Sequence, residues 1–193
     1  MLTDPVLAEI EATVPLPILD PSGDVFHDLI GCLVEQQHPA RSTKRTYAKA
    51  LERAGQDRLT PGTFDAFERD GLAGIKLSGQ KQAALAHAAE WFSEHAPDWP
   101  AMDDADVRRT LLQLKGVGAW TADVLLIWTL GREDVIPLDD YHLKKAMAAR
   151  YGLATGAGMK ARMREIASAW RPNRSLGTRY LLAWTDWQRE LAR

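Results

Sequence analysis

Apolar residues recur along this chain at intervals of three and four, and no segment alternates with period two, so the pattern predicts an all-α fold of about nine or ten helices. Phe26, Leu29, Ile30 and Leu33 mark one helix, which must stop before Pro39 because the residue preceding a proline avoids the helical region. Tyr47, Leu51 and Ala54 mark the next, ended by Gly55. Thr60-Pro61 reads as an N-cap followed by proline at the first helical position, opening a short helix through Phe64 and Phe67. Ser78, with Lys81 and Gln82, opens a helix carrying Leu85, Ala88, Ala89 and Phe92, before Pro97 and Pro100 interrupt the chain. Further helices are predicted over about Asp104–Gln113, Ala119–Leu130, Asp139–Tyr151, Gly158–Trp170 and Ser175–Leu191. No repeat at a fixed period and no low-complexity linker interrupts this pattern, which argues against a solenoid or a flexible tether.

At 193 residues the chain is long enough for one domain with a real core, which could take a bilobal form. Its apolar and charged fractions, 46% and 26%, are those of an ordinary globular protein. No apolar run reaches membrane-span length, and acidic Asp4, Glu9 and Glu11 stand where a signal peptide would be basic, so a cytoplasmic protein is expected. The single cysteine, Cys32, excludes an internal disulfide and any Cys-ligated zinc or iron-sulfur centre built by this chain alone. It lies in the apolar stripe between Leu29 and Leu33 and reads as a small buried hydrophobe.

A net charge of −2 argues mildly against a nucleic-acid partner, but the charge is unevenly placed. Acids dominate the first 35 residues, while Arg41, Lys44, Arg45 and Lys49 follow at once and Lys144, Lys145, Arg150, Lys160, Arg162, Arg164, Arg171, Arg174 and Arg179 crowd the last third. Charge alone favours ordinary solvated helix faces.

The informative stretch is Leu114-Lys115-Gly116-Val117-Gly118-Ala119-Trp120-Thr121-Ala122. Two glycines one residue apart allow a tight turn with positive φ and leave the backbone open to a close approach. The helix starting at about Ala119 adds its N-terminal N–H groups and the positive end of its dipole, which makes an anion site. Leu114 and Val117 would anchor the turn in the core. Asp140 follows Gly118 by 22 residues, in Ile136-Pro137-Leu138-Asp139-Asp140-Tyr141, where a loop meets a helix. One of the two acids can cap that helix, which leaves the other without a structural task.

LKGVGAWTADVLL followed by VIPLDDYHLKKAM resembles the helix-hairpin-helix DNA glycosylase superfamily, and within it the 3-methyladenine DNA glycosylase II branch. The resemblance extends to Phe26–Thr46, which is similar to the family's helix ending in a Gln-containing turn, and to Trp170-Arg171-Pro172-Asn173-Arg174-Ser175. It implies a bilobal fold, with lobes of approximately residues 30–130 and 1–29 plus 131–193, and a monomer acting on double-stranded DNA that contains damaged bases. Gly116, Val117 and Gly118 would present amides to phosphates, with Lys115 and Thr121 beside them. Leu112, Leu114 and Val117 would offer carbonyls to a monovalent cation, K+ or Na+, with no other cofactor required. Asp140 matches the family's essential aspartate and Asp139 its neighbour. Gln37, or else His38, falls where the family wedges the gap left by an extruded nucleotide, and Arg174 and Ser175 fall where a helix start nears the DNA backbone.

In the lyase members the motif reads GVG-x-Lys-Thr-Ala and supplies the Schiff-base lysine; here that position is Trp120, which implies a monofunctional enzyme. Trp120 and Tyr141 are the aromatics nearest in sequence to the site, and either would line a base pocket. Counting without gaps from Trp170, the family's late pocket tryptophan aligns with Leu182, and the nearest tryptophan is Trp184. The implied reaction is base flipping and hydrolysis of the N-glycosidic bond of alkylated purines such as 3-methyladenine and 7-methylguanine. Three other readings stay open: a glycosylase for a different damaged base, a non-catalytic helix-hairpin-helix DNA-binding module, and an all-helical interaction domain.

Overall fold

A computed structural model describes residues 3–16, 18–35 and 40–191, with side chains from residue 46 onward in the last stretch. Gln37, His38 and the helix stop at Pro39 lie outside the described residues. All regular structure among the described residues is helical, as the periodicity predicts. The elements are α1 (Pro5–Thr13), α2 (Val25–Glu35), α3 (Ala40–Arg53), α4 (Phe64–Ala66), α5 (Gly79–Glu94), α6 (Asp104–Leu111), α7 (Ala119–Val124), α8 (Tyr141–Tyr151), α9 (Met159–Ser168) and α10 (Arg174–Leu191). α4 is entered through a 3-10 turn, Pro61–Thr63, and left through a π turn, Phe67–Gly71; a second π turn, Leu125–Thr129, continues α7. No helix among the described residues is long and apolar enough to cross a membrane.

The chain forms two compact units, one of Ser22–Leu125 and one of Met1–Pro21 with Leu126–Arg193. In the first, α2 buries Phe26, Leu29, Ile30 and Leu33 against α3 and α5. Phe26 meets Phe92 at 5.3 Å and Phe64 at 6.5 Å between ring centroids, within the range where aromatic edges and faces attract. Gly71 closes the π turn against α3: a Cβ there would stand 2.5 Å from the Ala50 carbonyl oxygen. The Ser78 hydroxyl caps α5 by accepting the Lys81 N–H, as its sequence predicts, and Lys81 Nζ in turn donates to the Val34 carbonyl in the last turn of α2. Cys32 is half-buried on α2 rather than fully enclosed; burial, with help from Asp28 and Glu35, pushes its thiol up to about 12, so it stays protonated and unreactive.

The second unit packs α1, α8, α9 and α10 around Leu7, Ile10, Leu143, Met147, Met163 and Trp170. α1 lies in the acid-rich N-terminal stretch where the periodicity reading placed no helix. Asp4 starts it: its Oδ1 accepts the N–H groups of Val6 and Leu7 and the Tyr151 hydroxyl, while Oδ2 accepts from Trp170 Nε1. One carboxylate thereby ties α1 to α8 and to the segment before α10. Gly177 lets α10 approach: a Cβ there would meet the Trp170 ring at 2.8 Å and Leu7 at 3.0 Å.

Candidate active site

The glycine turn belongs to the first unit. α6 ends at Leu111, and the turn folds back through Gly116 at φ +80°, a backbone conformation that favours glycine. A Cβ on Gly116 would stand 2.8 Å from Ala84 on α5 and 3.5 Å from Leu33 on α2, so sterics as well as dihedral require glycine. Leu114 and Val117 are buried, as predicted, and pin the turn to the core. Gly118 is different: it is the extended N-cap of α7, without a side-chain cap, and the space where its Cβ would stand is empty to 4 Å. There the missing side chain opens the helix start to an incoming group.

Two hairpin expectations need correcting. The Val117 N–H turns inward to the Leu114 carbonyl at 3.1 Å, so Val117 supplies packing rather than an amide for phosphate. Thr121 is 2% exposed, which removes its hydroxyl from any surface contact. Lys115 keeps an exposed side chain while its N–H reaches His87 Nδ1 on α5 at 3.3 Å. Trp120 is half-buried. Across the turn, Arg108 on α6 pairs with Asp123 on α7, a carboxylate only 4% exposed, and this ion pair braces the two helices against each other.

The acidic pair belongs to the second unit, and both acids have structural tasks. Asp140 is the N-cap of α8, its Oδ1 accepting the Leu143 N–H at 2.7 Å. Asp139 is exposed and pairs with Lys160 on α9 and with Lys144 on α8; the Lys160 ammonium, with Lys144 behind it, holds its carboxyl below the usual range. The expectation that one acid would be left idle therefore fails. What distinguishes Asp140 is its place, half-buried at a helix start with its backbone N–H on the Pro137 carbonyl.

Arg174 and Ser175 are engaged inside the second unit rather than presented to solvent. Arg174 Nε donates to Asp134 Oδ1 at 2.6 Å, and its second guanidinium nitrogen reaches both Oδ2 at 3.0 Å and the Asp134 carbonyl at 2.6 Å. Ser175, 5% exposed, donates its hydroxyl to the Arg132 carbonyl and accepts the Val135 N–H. Both side chains grip the loop before Asp140, from the helix start that the resemblance places near the DNA backbone. Tyr141 is 69% exposed and meets His142 edge-on, whereas Trp184 is half-buried with the Arg150 guanidinium over its ring at 5.4 Å.

No family model matches the sequence. A DNA-3-methyladenine glycosidase from Bacillus halodurans superposes with a TM-score of 0.75 at 25% identity, over 97% of this chain and 87% of that one. A 3-methyladenine DNA glycosylase of Schizosaccharomyces pombe, solved with abasic DNA, gives a TM-score of 0.77 over 95% and 93% of the two chains at 22% identity. A Bacillus subtilis relative, whose name proposes a DNA-3-methyladenine glycosylase, is 24% identical over 182 residues, 90% of this chain and 62% of that protein. The chain is similar in sequence and in fold, over nearly its whole length, to DNA-3-methyladenine glycosylases. It spans less than two thirds of the length of the curated superfamily relatives it matches. Those names support the 3-methyladenine branch of the superfamily, as the motifs imply.

Three pairings in this fold have no local signal in the sequence. Arg108 and Asp123 lie 15 residues apart on either side of the turn, and only the closed hairpin makes them partners. Asp134 is an unremarkable loop acid until α10 brings Arg174 to it from 40 residues away. Lys160 counted only as bulk charge before α9 packed it beside Asp139.

Proposed function

We propose that this protein is a monofunctional DNA glycosylase of base excision repair that removes alkylated purines such as 3-methyladenine and 7-methylguanine. The observation that carries the reading is Asp140, a half-buried carboxylate at the start of α8 in a chain that follows the fold of a DNA-3-methyladenine glycosidase over 97% of its length. A base stacked in a duplex cannot present its glycosidic bond, so the nucleotide is extruded into the protein, and Gln37 or His38 fills the gap. Bond cleavage develops positive charge on the deoxyribose. Asp140 stabilises that charge and orients the attacking water. Lys115 and the backbone around Gly116 and Gly118 take the phosphates.

An alkylated purine is already cationic, which makes it a good leaving group and draws it to aromatic faces by up to about 2 kcal/mol once desolvated. Trp120 and Tyr141 are the aromatics for that task. In the same reading the carbonyls of Leu112, Leu114 and Val117, just past the last turn of α6, take a monovalent cation, the Leu114 oxygen with the lone pair that the Val117 N–H leaves over. Such an ion would neutralise part of the phosphate charge brought to the turn.

The substrate range is tested by single-turnover excision on duplexes carrying alkylated purines, hypoxanthine, uracil or 8-oxoguanine. Release of the alkylated purines is expected. Turnover restricted to 8-oxoguanine or uracil would move the chain to another branch. The absence of an amine at Trp120 predicts no covalent adduct on borohydride treatment during turnover, and a trapped adduct would refute the monofunctional assignment.

A further inference from the structure

Eleven residues, Leu130 to Asp140, carry the chain from the π turn after α7 to the start of α8, and they are fastened at successive points. The Arg132 N–H donates to the Leu126 carbonyl at 2.8 Å, Val135 and Ile136 are buried, and the Asp140 N–H closes on the Pro137 carbonyl at 2.9 Å. Between these points the loop has no helix or strand of its own to hold it. What holds it is the first turn of α10. Ser175 Oγ donates to the Arg132 carbonyl at 2.6 Å and accepts the Val135 N–H at 3.0 Å, and the Ser175 N–H donates to the Glu133 carbonyl at 2.9 Å. Arg174 adds a two-pronged ion pair to the Asp134 carboxylate and a bond to the Asp134 carbonyl, with Arg171 3.8 Å from the same carboxylate.

We infer that Arg174, Ser175 and Asp134 are positioning residues for catalysis, setting where the loop delivers Asp140. The inference rests on the reading of Asp140 as the catalytic carboxylate. It assigns to Arg174 and Ser175 a task other than the DNA contact that their sequence position implies. The planar guanidinium is what the geometry needs, because one side chain meets both carboxylate oxygens and the carbonyl of a single residue. A lysine in its place could satisfy only part of that set. Misplacement of a reacting group by about 1 Å can cost on the order of a hundredfold in rate, so a loosened loop is felt in chemistry before it is felt in binding.

The test uses Arg174→Ala, Arg174→Lys, Ser175→Ala and the exchanged pair Arg174→Asp with Asp134→Arg. Three readouts are taken: amide exchange of Leu143, whose N–H binds Asp140 Oδ1; affinity for a duplex with a stable abasic-site analogue; and single-turnover excision at saturating duplex. Arg174→Ala is expected to speed Leu143 exchange by about tenfold and to slow excision by roughly 10–100-fold, with affinity held within about threefold. Arg174→Lys should fall between Ala and wild type, and the exchanged pair should recover part of the loss. Unchanged Leu143 exchange, or affinity that falls while the saturating rate holds, overturns the inference; the second result returns Arg174 to the DNA backbone. Accelerated exchange in a protein whose wild type releases no base from any duplex keeps the clamp and refutes the catalytic reading of Asp140 instead.

Discussion

Replacing Gly116 with alanine separates the two duties of the glycine turn. At φ +80° an L-residue costs about 1–2 kcal/mol from backbone sterics alone. The added methyl would also stand 2.8 Å from Ala84 Cβ, on the buried face of α5, where only backbone movement can relieve the clash. Overpacking of this kind costs about 1–3 kcal/mol, so Gly116→Ala should destabilise by roughly 2–5 kcal/mol. For a chain of this size that lowers Tm by roughly 4–20 °C. Gly118→Ala is the control: its φ is −103°, nothing lies within 4 Å of the new methyl, and stability should change by no more than about 1 kcal/mol. Its defect should appear in duplex affinity, because the methyl occupies the approach to the α7 start. Urea unfolding and duplex binding of both variants decide the matter. A Gly116→Ala protein as stable as Gly118→Ala would refute the packing argument.

Arg108→Ala breaks the ion pair of the Asp123 carboxylate, which is 4% exposed, and should cost about 1–3 kcal/mol, less than the usual loss for a fully buried pair because Arg108 is itself a third exposed and Asp123 keeps its other contacts. A thermal melt with Tm lowered by less than about 2 °C would contradict it. Asp134 predicts an acid limb of stability. Burial pushes its carboxyl up, but the hydrogen bonds and charge of Arg174, with Arg171, outweigh burial and hold it below the usual range. Its contribution is therefore complete above the unfolded value of about 3.9 and is lost as pH falls through the lower folded value. Melting between pH 5 and pH 2.5 should show wild type losing more stability than Arg174→Ala, and equal losses would remove Asp134 from the acid transition.

The helices were legible because their signals are local. Ser78 caps α5, Thr60-Pro61 opens the turns before Phe64, and Gly55 follows α3 with φ +65°, each where the one-dimensional pattern places it. α1 was not, since a short helix among acids shows little amphipathic contrast until Asp4 is seen binding Tyr151 and Trp170. The glycine turn was legible in outline, because Gly116 and Gly118 have no other evident use, but not in detail. That Gly116 is needed for packing and Gly118 for access depends on Ala84 and Leu33, far away in sequence. The same limit applies to Arg174. An arginine at a helix start in a DNA-binding motif reads as a phosphate contact, and only the folded loop supplies Asp134 as the nearer anion.

Asp140→Asn tests the central claim most directly, because asparagine caps a helix about as well as aspartate and can keep the bond to the Leu143 N–H. The substitution removes the charge and leaves the fold. Single-turnover excision of 3-methyladenine or 7-methylguanine should fall by about 10²–10³-fold or more, with melting temperature and duplex affinity close to wild type. Excision at the wild-type rate would make Asp140 a helix cap and nothing more, and would contradict the account.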